Sequence, residues 1–234
     1  MSRRRLALYS AAGALAACRP RLEPLLPARL VPMPADSATA WARRTMPDRP
    51  VAIRFRWRYQ DEQVRWAGRG TARIAPPDSL RLDYAGPLGL GAGAAVVIGD
   101  SVAWAEPSGS FRTLVPAVRM LWAALGTVRP PLSATVWAAV APPPEERRRV
   151  WRFVDGPDTL DYVLSEGARP APRLEAEWRR GETVVARSRT IFAGARVPDE
   201  ARIDFPEAPA RFEITVVGVD TGAVVPPALW RSRR

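Results

Sequence analysis

The 234-residue sequence predicts a mainly β protein of the α+β class: a curved antiparallel sheet forming an incomplete β-barrel closed by short α-helices. Three observations carry this. From Val51 to Tyr59 the apolar residues recur with a period of two, the mark of a half-buried strand. Short strand-like runs then follow one another with turn residues between them, at Gly99-Asp100, at Asp155-Gly156-Pro157-Asp158 and at Gly181-Glu182. Only two stretches change to a helical period. Many short strands with few helices curl into a barrel-like sheet.

The chain opens with Arg3-Arg4-Arg5, an apolar run Leu6–Ala17, and then Leu15-Ala16-Ala17-Cys18. A positive n-region, an apolar h-region and small residues before a cut describe a secretory signal over residues 1–17. The run is too short to span a bilayer as a helix, which takes about 20 residues. Cut by ordinary signal peptidase nearby is the competing reading and leaves Cys18 a chance thiol. Residues 18–35 read as a tether: Pro20, Pro24, Pro27, Pro32 and Pro34 fix φ and remove donors, so the stretch is extended and holds the domain off a surface. The domain proper is 36–234.

A helix over Ser37–Met46 is expected, capped by Asp36 or Ser37 and stopped before Pro47. In Val51–Tyr59 the residues Val51, Ile53, Phe55, Trp57 and Tyr59 form one face and Arg54, Arg56 and Arg58 the other. Val64–Ala75 is the next strand. Gly68 and Gly70 fall on its apolar face, which signals a bend or the close approach of another backbone. Ser79–Tyr84, Ala94–Ile98 and Val102–Glu106 follow, with a loop Gly86-Pro87-Leu88-Gly89-Leu90-Gly91 after the first of them. An amphipathic helix starts near Pro116 and closes at Gly126. Ser133–Val140 reads as strand or helix. Strands return at Arg149–Val154, Thr159–Ser165, Arg173–Arg179, Thr183–Phe192, Ala201–Phe205 and Arg211–Val219.

Composition narrows the chemistry. There is no histidine and one cysteine, so Ser-His-Asp and Cys-His nucleophiles, His/Cys zinc sites and internal disulfides are excluded. All 35 basic residues are Arg, and the net charge is +11. Loss of residues 1–17, with three arginines and no acid, brings the charge to +8. The all-Arg usage fits the compositional bias of a GC-rich genome, and the charge reads first as a solvated arginine-rich surface; the alternative partners for an exported protein are anionic lipid or acidic protein and not nucleic acid. Glu145-Glu146 beside Arg147–Arg149, and Asp155 with Asp158, read as loop and turn charge and not as acid–base pairs. A transmembrane barrel fails on energy: arginines facing lipid each cost up to roughly 2–4 kcal/mol at the midplane.

Cys18 with its preceding residues resembles a bacterial lipobox. The order of elements, with Asp83-Tyr84-Ala85-Gly86-Pro87-Leu88-Gly89 and Leu121-Trp122-Ala123-Ala124-Leu125-Gly126, resembles the LolA/LolB-like superfamily over about Ser37 to Val219. That resemblance implies a lipidated Cys18, attachment to the periplasmic face of the outer membrane, and a half-open barrel around an acyl-chain cavity. Arg19, where inner-membrane retention in some bacteria wants an acid, favours the outer membrane. It implies that Leu88 reaches toward the membrane or helps hand over a lipid, with Leu90 assisting. The candidate cavity residues are Phe55, Trp57, Tyr59, Trp66, Leu82, Trp104 and Trp122, each of which reads first as core and second as ligand contact. The expected partners are the membrane, through the N-terminal lipid, the acyl chains of lipoproteins or lipids, and a periplasmic carrier protein. No enzyme activity, cofactor, metal or nucleic acid is expected, and the chain is taken as a monomer. The alternative is a scaffold lipoprotein that docks an acidic partner through its arginine-rich strand faces. The tail Val224–Arg234, with Trp230, matches no motif.

Overall fold

The computed structural model describes residues 22–27, 29–89, 91–109, 117–131, 133–138, 148–167, 171–194 and 197–231. Cys18, Leu90, Pro116, Glu145 and Glu146 lie outside them. The elements are β1 (Val31–Pro32), α1 (Ala35–Thr45), β2 (Val51–Gln60), β3 (Arg65–Ala75), β4 (Ser79–Ala85), β5 (Gly93–Ile98) and β6 (Ser101–Glu106). Then come α2 (Val118–Ala124), β7 (Thr135–Ala138), β8 (Arg148–Asp155), β9 (Asp158–Ser165), β10 (Arg173–Arg180), β11 (Thr183–Phe192), β12 (Pro198–Phe205) and β13 (Ala210–Asp220). Among the described residues the strands form one sheet in the order β1-β7-β8-β9-β10-β11-β12-β13-β2-β3-β4-β5-β6, antiparallel throughout, with open edges at β1 and β6. This is the incomplete barrel the periodicity predicts. Within the stretch read as strand or helix, Thr135–Ala138 is strand.

The period of two is realised residue by residue in β2. Val51, Ile53, Phe55, Trp57 and Tyr59 are buried, and Arg54, Arg56 and Arg58 are exposed. Register carries that inner face across the sheet: Trp151, Tyr162, Ala176, Ser188, Ile203, Phe212 and Tyr59 stand opposite one another in sequence from β8 to β2. The helix α2 fills the concavity, with Met120 through Ala124 all buried. Its polar groups find partners there: Trp122 Nε1 donates to Gly99 O at 2.7 Å, and Thr190 Oγ1 donates to Ala123 O at 2.8 Å. Arg119, at its start, meets Asp100 at 2.9 Å, Asp155 at 3.8 Å and Asp158 at 3.9 Å, tying the β5–β6 turn to the β8–β9 turn. The other helix, α1, begins two residues before the expected start. Pro34 occupies the cap position and its carbonyl accepts from Ser37 N, so neither Asp36 nor Ser37 caps it.

The N-terminal end of the described chain departs from expectation. Residues 22–27 and 29–32 form no helix, as their prolines dictate, but they are laid against the outer face of the sheet instead of projecting from it. Leu26 is buried on Val150 and Val163. Arg187 donates to Glu23 O, Leu25 N donates to Glu177, and Arg152 donates to Leu26 O and Pro27 O. An extended proline-rich backbone has no internal hydrogen bonds, so its carbonyls are available to guanidinium groups that need acceptors. At the other end, Pro227–Trp230 forms a 3₁₀ turn over β4–β6. There Arg81 donates to Leu229 O, and Trp104 Nε1 donates to Trp230 O at 3.0 Å.

Candidate functional site

Beyond Ala85 the chain turns through Pro87–Gly89, and Leu88 sits at the tip with φ 57° and ψ 20°. Its side chain is wholly exposed. A left-handed backbone costs a non-glycine residue about 1–2 kcal/mol. No burial offsets that cost here. Gly89 and Gly91 flank it at φ 81° and 63°, in open space. Sequence reasoning placed Leu88 on a glycine-flanked loop; the strained and fully exposed conformation is visible only in the fold.

Of the seven candidate cavity residues, Phe55, Trp57, Tyr59, Leu82 and Trp122 belong to one continuous buried core. The two strand glycines show why. Gly68 and Gly70 stand opposite Trp57 and Phe55, and a Cβ on either would lie 2.8 Å or 2.5 Å from those rings. The close approach that the glycines signal is therefore by aromatic side chains, with the Ala85 carbonyl also pressing on Gly68. Trp57 stacks on Phe212 and meets Tyr84 edge-on. Trp66 shares the inner parity but lies at the rim and is 45% exposed. It packs on Tyr59 at 6.0 Å beside a depression of about 340 Å³. Trp104 is a correction. A bulge between Val96 and Val97 pairs Trp104 with Val96, on the outer face with Arg81, whose guanidinium lies 5.4 Å from its ring.

A larger groove, about 590 Å³, opens between α1 and the start of β8. Met33, Ala40, Trp41, Val150 and Trp151 give it apolar walls, and Arg44, Arg148 and Arg149 give it cationic ones. Trp41 and Trp151 lie 5.8 Å apart, ring to ring. Among the described residues the buried Trp41 Nε1 has no hydrogen-bond acceptor. None of the seven candidates lines this groove. Trp41 was legible as a site, since it shares a helix face with Ala38 and Ala42, and so was Trp151, which is in phase with Phe153. What hid them was that helix and strand lie about 110 residues apart.

The outer face is arginine-rich along its whole width, but not uniformly paired. On β8–β12 the acids match the arginines. Asp161, with no side-chain exposure, accepts from Arg152 at 2.6 and 2.7 Å and from Arg179 at 3.1 Å. Glu177 takes Arg179 and Arg187, Glu175 takes Arg173 and Arg189, and Asp204 takes Arg202 and Arg211. On β2 and β3, Arg54, Arg56, Arg58, Arg65 and Arg69 are exposed and make no ion pair among the described residues. Asp155 and Asp158 bracket a turn, as expected; the Arg180 hydrogen bond at 3.0 Å holds the Asp158 carboxyl below its ordinary range. Among the described residues no cluster of acids or Cys is placed to hold a metal, and no helix is long and apolar enough to cross a membrane.

The sequence matches no protein-family model and no curated protein. The fold does match solved structures. A LolA superfamily protein of Nitrosomonas europaea superposes with a TM-score of 0.58 at 11% identity, over 86% of this chain and 98% of that one. An outer membrane lipoprotein-sorting protein domain from Vibrio parahaemolyticus gives 0.53 at 8% identity, over 83% and 97%. The chain thus shares its fold with these two structures, one of them a LolA superfamily protein, in line with the order of elements.

Proposed function

We propose that this chain is a membrane-anchored, non-enzymatic handler of acyl chains, which receives a lipid or lipoprotein and passes it to the outer membrane from the periplasmic side. Leu88 carries the reading. A fully exposed leucine in a left-handed backbone, framed by glycines on an open half-barrel, has no role in the fold that would offset its strain. Insertion into an apolar phase gives it one. The fold supports this, being shared with a lipoprotein-sorting domain. Lipidation of Cys18 supplies the anchor. Several acyl chains on one N-terminus attach stably, where a single chain is marginal. The groove between α1 and β8 offers the acyl site, of a volume within the range of ligand pockets and lined by three arginines against the single acid Asp36, a balance that suits an acidic head group. Leu90 and a periplasmic carrier as donor belong to the same reading.

The test is a fluorescent fatty-acyl probe titrated into the full chain carrying Cys18→Ser, followed by transfer to vesicles. Ala40→Trp, on an exposed position of α1, fills the groove and is expected to lower probe affinity at least tenfold with the melting temperature unchanged. Leu88→Glu is expected to bind the probe normally and to lose transfer. Probe binding that survives Ala40→Trp removes the groove from the proposal. Transfer that survives Leu88→Glu overturns the role of the loop.

A further inference from the structure

We propose that the outer face of β2 and β3 is a docking surface for anionic lipid head groups, and that the N-terminal segment is routed to hold this face against the bilayer. The cations come first. Arg54, Arg56 and Arg58 project from alternate positions of β2, and Arg65 and Arg69 from the same face of β3. All five are exposed and none is in an ion pair among the described residues. Arg56 stands directly opposite Arg69, a like-charge pair that works against the sheet. Two acids share their face from β13: Glu213 opposite Arg58, and Asp220 opposite Ala52, at the far end of the row beyond Arg54. A surface that concentrates unpaired guanidinium groups matches phosphate chemistry, which arginine binds through paired N–H donors.

The second observation is the path of the N-terminal segment. From β1 at the sheet edge it runs backwards over β8, where Arg152 holds Leu26 and Pro27, then over β10 at Glu177, and reaches β11 at Arg187. The first described residues therefore lie on the outer face, with Glu23 beside β11. From Arg187 one cross-strand row leads through Asp204, Arg211 and Gln60 to Arg65. At about 4.8 Å per strand, β2 lies roughly 14 Å from that point and β3 roughly 19 Å. A membrane tether leaving there holds the arginine face, and not the barrel mouth, closest to the bilayer. The Leu88 loop departs from β4 at Ala85, which is paired with Arg69, so the exposed leucine borders the same patch.

This inference rests on the membrane placement of the preceding section but not on the acyl groove. Its test is sedimentation of the full chain carrying Cys18→Ser with vesicles of phosphatidylcholine alone or mixed with phosphatidylglycerol. Adsorption is expected only to the mixed vesicles, and is expected to fall as salt rises. Arg56→Gln and Arg58→Gln are each expected to lower it about fivefold, the factor for one basic residue at an anionic surface. Arg189→Gln, from the paired half of the face, is expected to leave it unchanged. Equal adsorption to neutral vesicles overturns the proposal, as does full adsorption by the Arg56→Gln/Arg58→Gln chain. Adsorption to neither vesicle also overturns it and returns the patch to an acidic protein. Acyl-probe binding is read on the same samples. Its loss with adsorption intact defeats the groove and leaves the docking face standing.

Discussion

Two halves of one sheet face are written in the same alternating arginines and come to opposite ends. On β8–β12 each arginine of the central network meets a carboxylate, and the N-terminal segment closes over it. On β2 and β3, Arg54, Arg56, Arg58, Arg65 and Arg69 meet no carboxylate among the described residues, although Arg73 at the end of β3 pairs with Asp83, and nothing in the described chain covers those five. The first half is desolvated at its centre, where Asp161 and Glu177 have no side-chain exposure, so those pairs act strongly on the fold; removal of one partner of a buried pair leaves a charge with no compensation. The second half is hydrated, and its stability comes from its other side, where Trp57 and Phe55 lie on Gly68 and Gly70. A run of arginine says little about its role until the acids on neighbouring strands are placed.

Breaking the paired half is expected to have the largest effect. Asp161→Ala leaves Arg152 and Arg179 under the N-terminal segment without their shared carboxylate, at a cost of about 3–5 kcal/mol. For a domain of this size that lowers the melting temperature by roughly 10 °C, readable by circular dichroism. A change near zero means that water enters the network and that the two halves do not differ as described.

The inner side of the unpaired half comes next. Gly68→Ala puts a Cβ 2.0 Å from the Ala85 carbonyl oxygen and 2.8 Å from the Trp57 ring. Overpacking of this kind costs about 1–3 kcal/mol, and chemical denaturation measures it. If the variant is as stable as wild type, the aromatic-on-glycine packing is not what supports β2 and β3.

The smallest effect sharpens the contrast by conversion of one half toward the other. Arg69→Glu replaces the like-charge pair opposite Arg56 with an attractive one. It is expected to raise stability by about 0.2–1 kcal/mol while weakening vesicle adsorption. A loss of stability would show that Arg56 and Arg69 are held apart by the fold already.

The element order was legible because each strand from β2 onward, β7 excepted, carries its own period or its own turn residues, such as the Gly99 and Gly181 turns with φ 63° and 58°. The parity of Trp104 was not, because a bulge leaves no mark in alternating small and apolar residues. Nor was the groove, since Trp41 and Trp151 meet only when α1 folds over β8. The N-terminal segment shows both sides of this. Its prolines dictate extension, and from the sequence an extended stretch beside a signal reads as a tether. Its attachment to Arg152, Glu177 and Arg187 depends on three different strands.

By itself, the sequence determined the class of fold, the inward and outward faces of β2, the excluded chemistries and the glycine-framed position of Leu88. Those are local matters of period, φ and residue type, which a chain carries wherever it goes. Tertiary structure alone decided which arginines are neutralised, which aromatics fill the core and which border a groove, and where the N-terminal segment runs. Each of these depends on cross-strand register, and register brings together residues whose separation along the chain contains no trace of their contact.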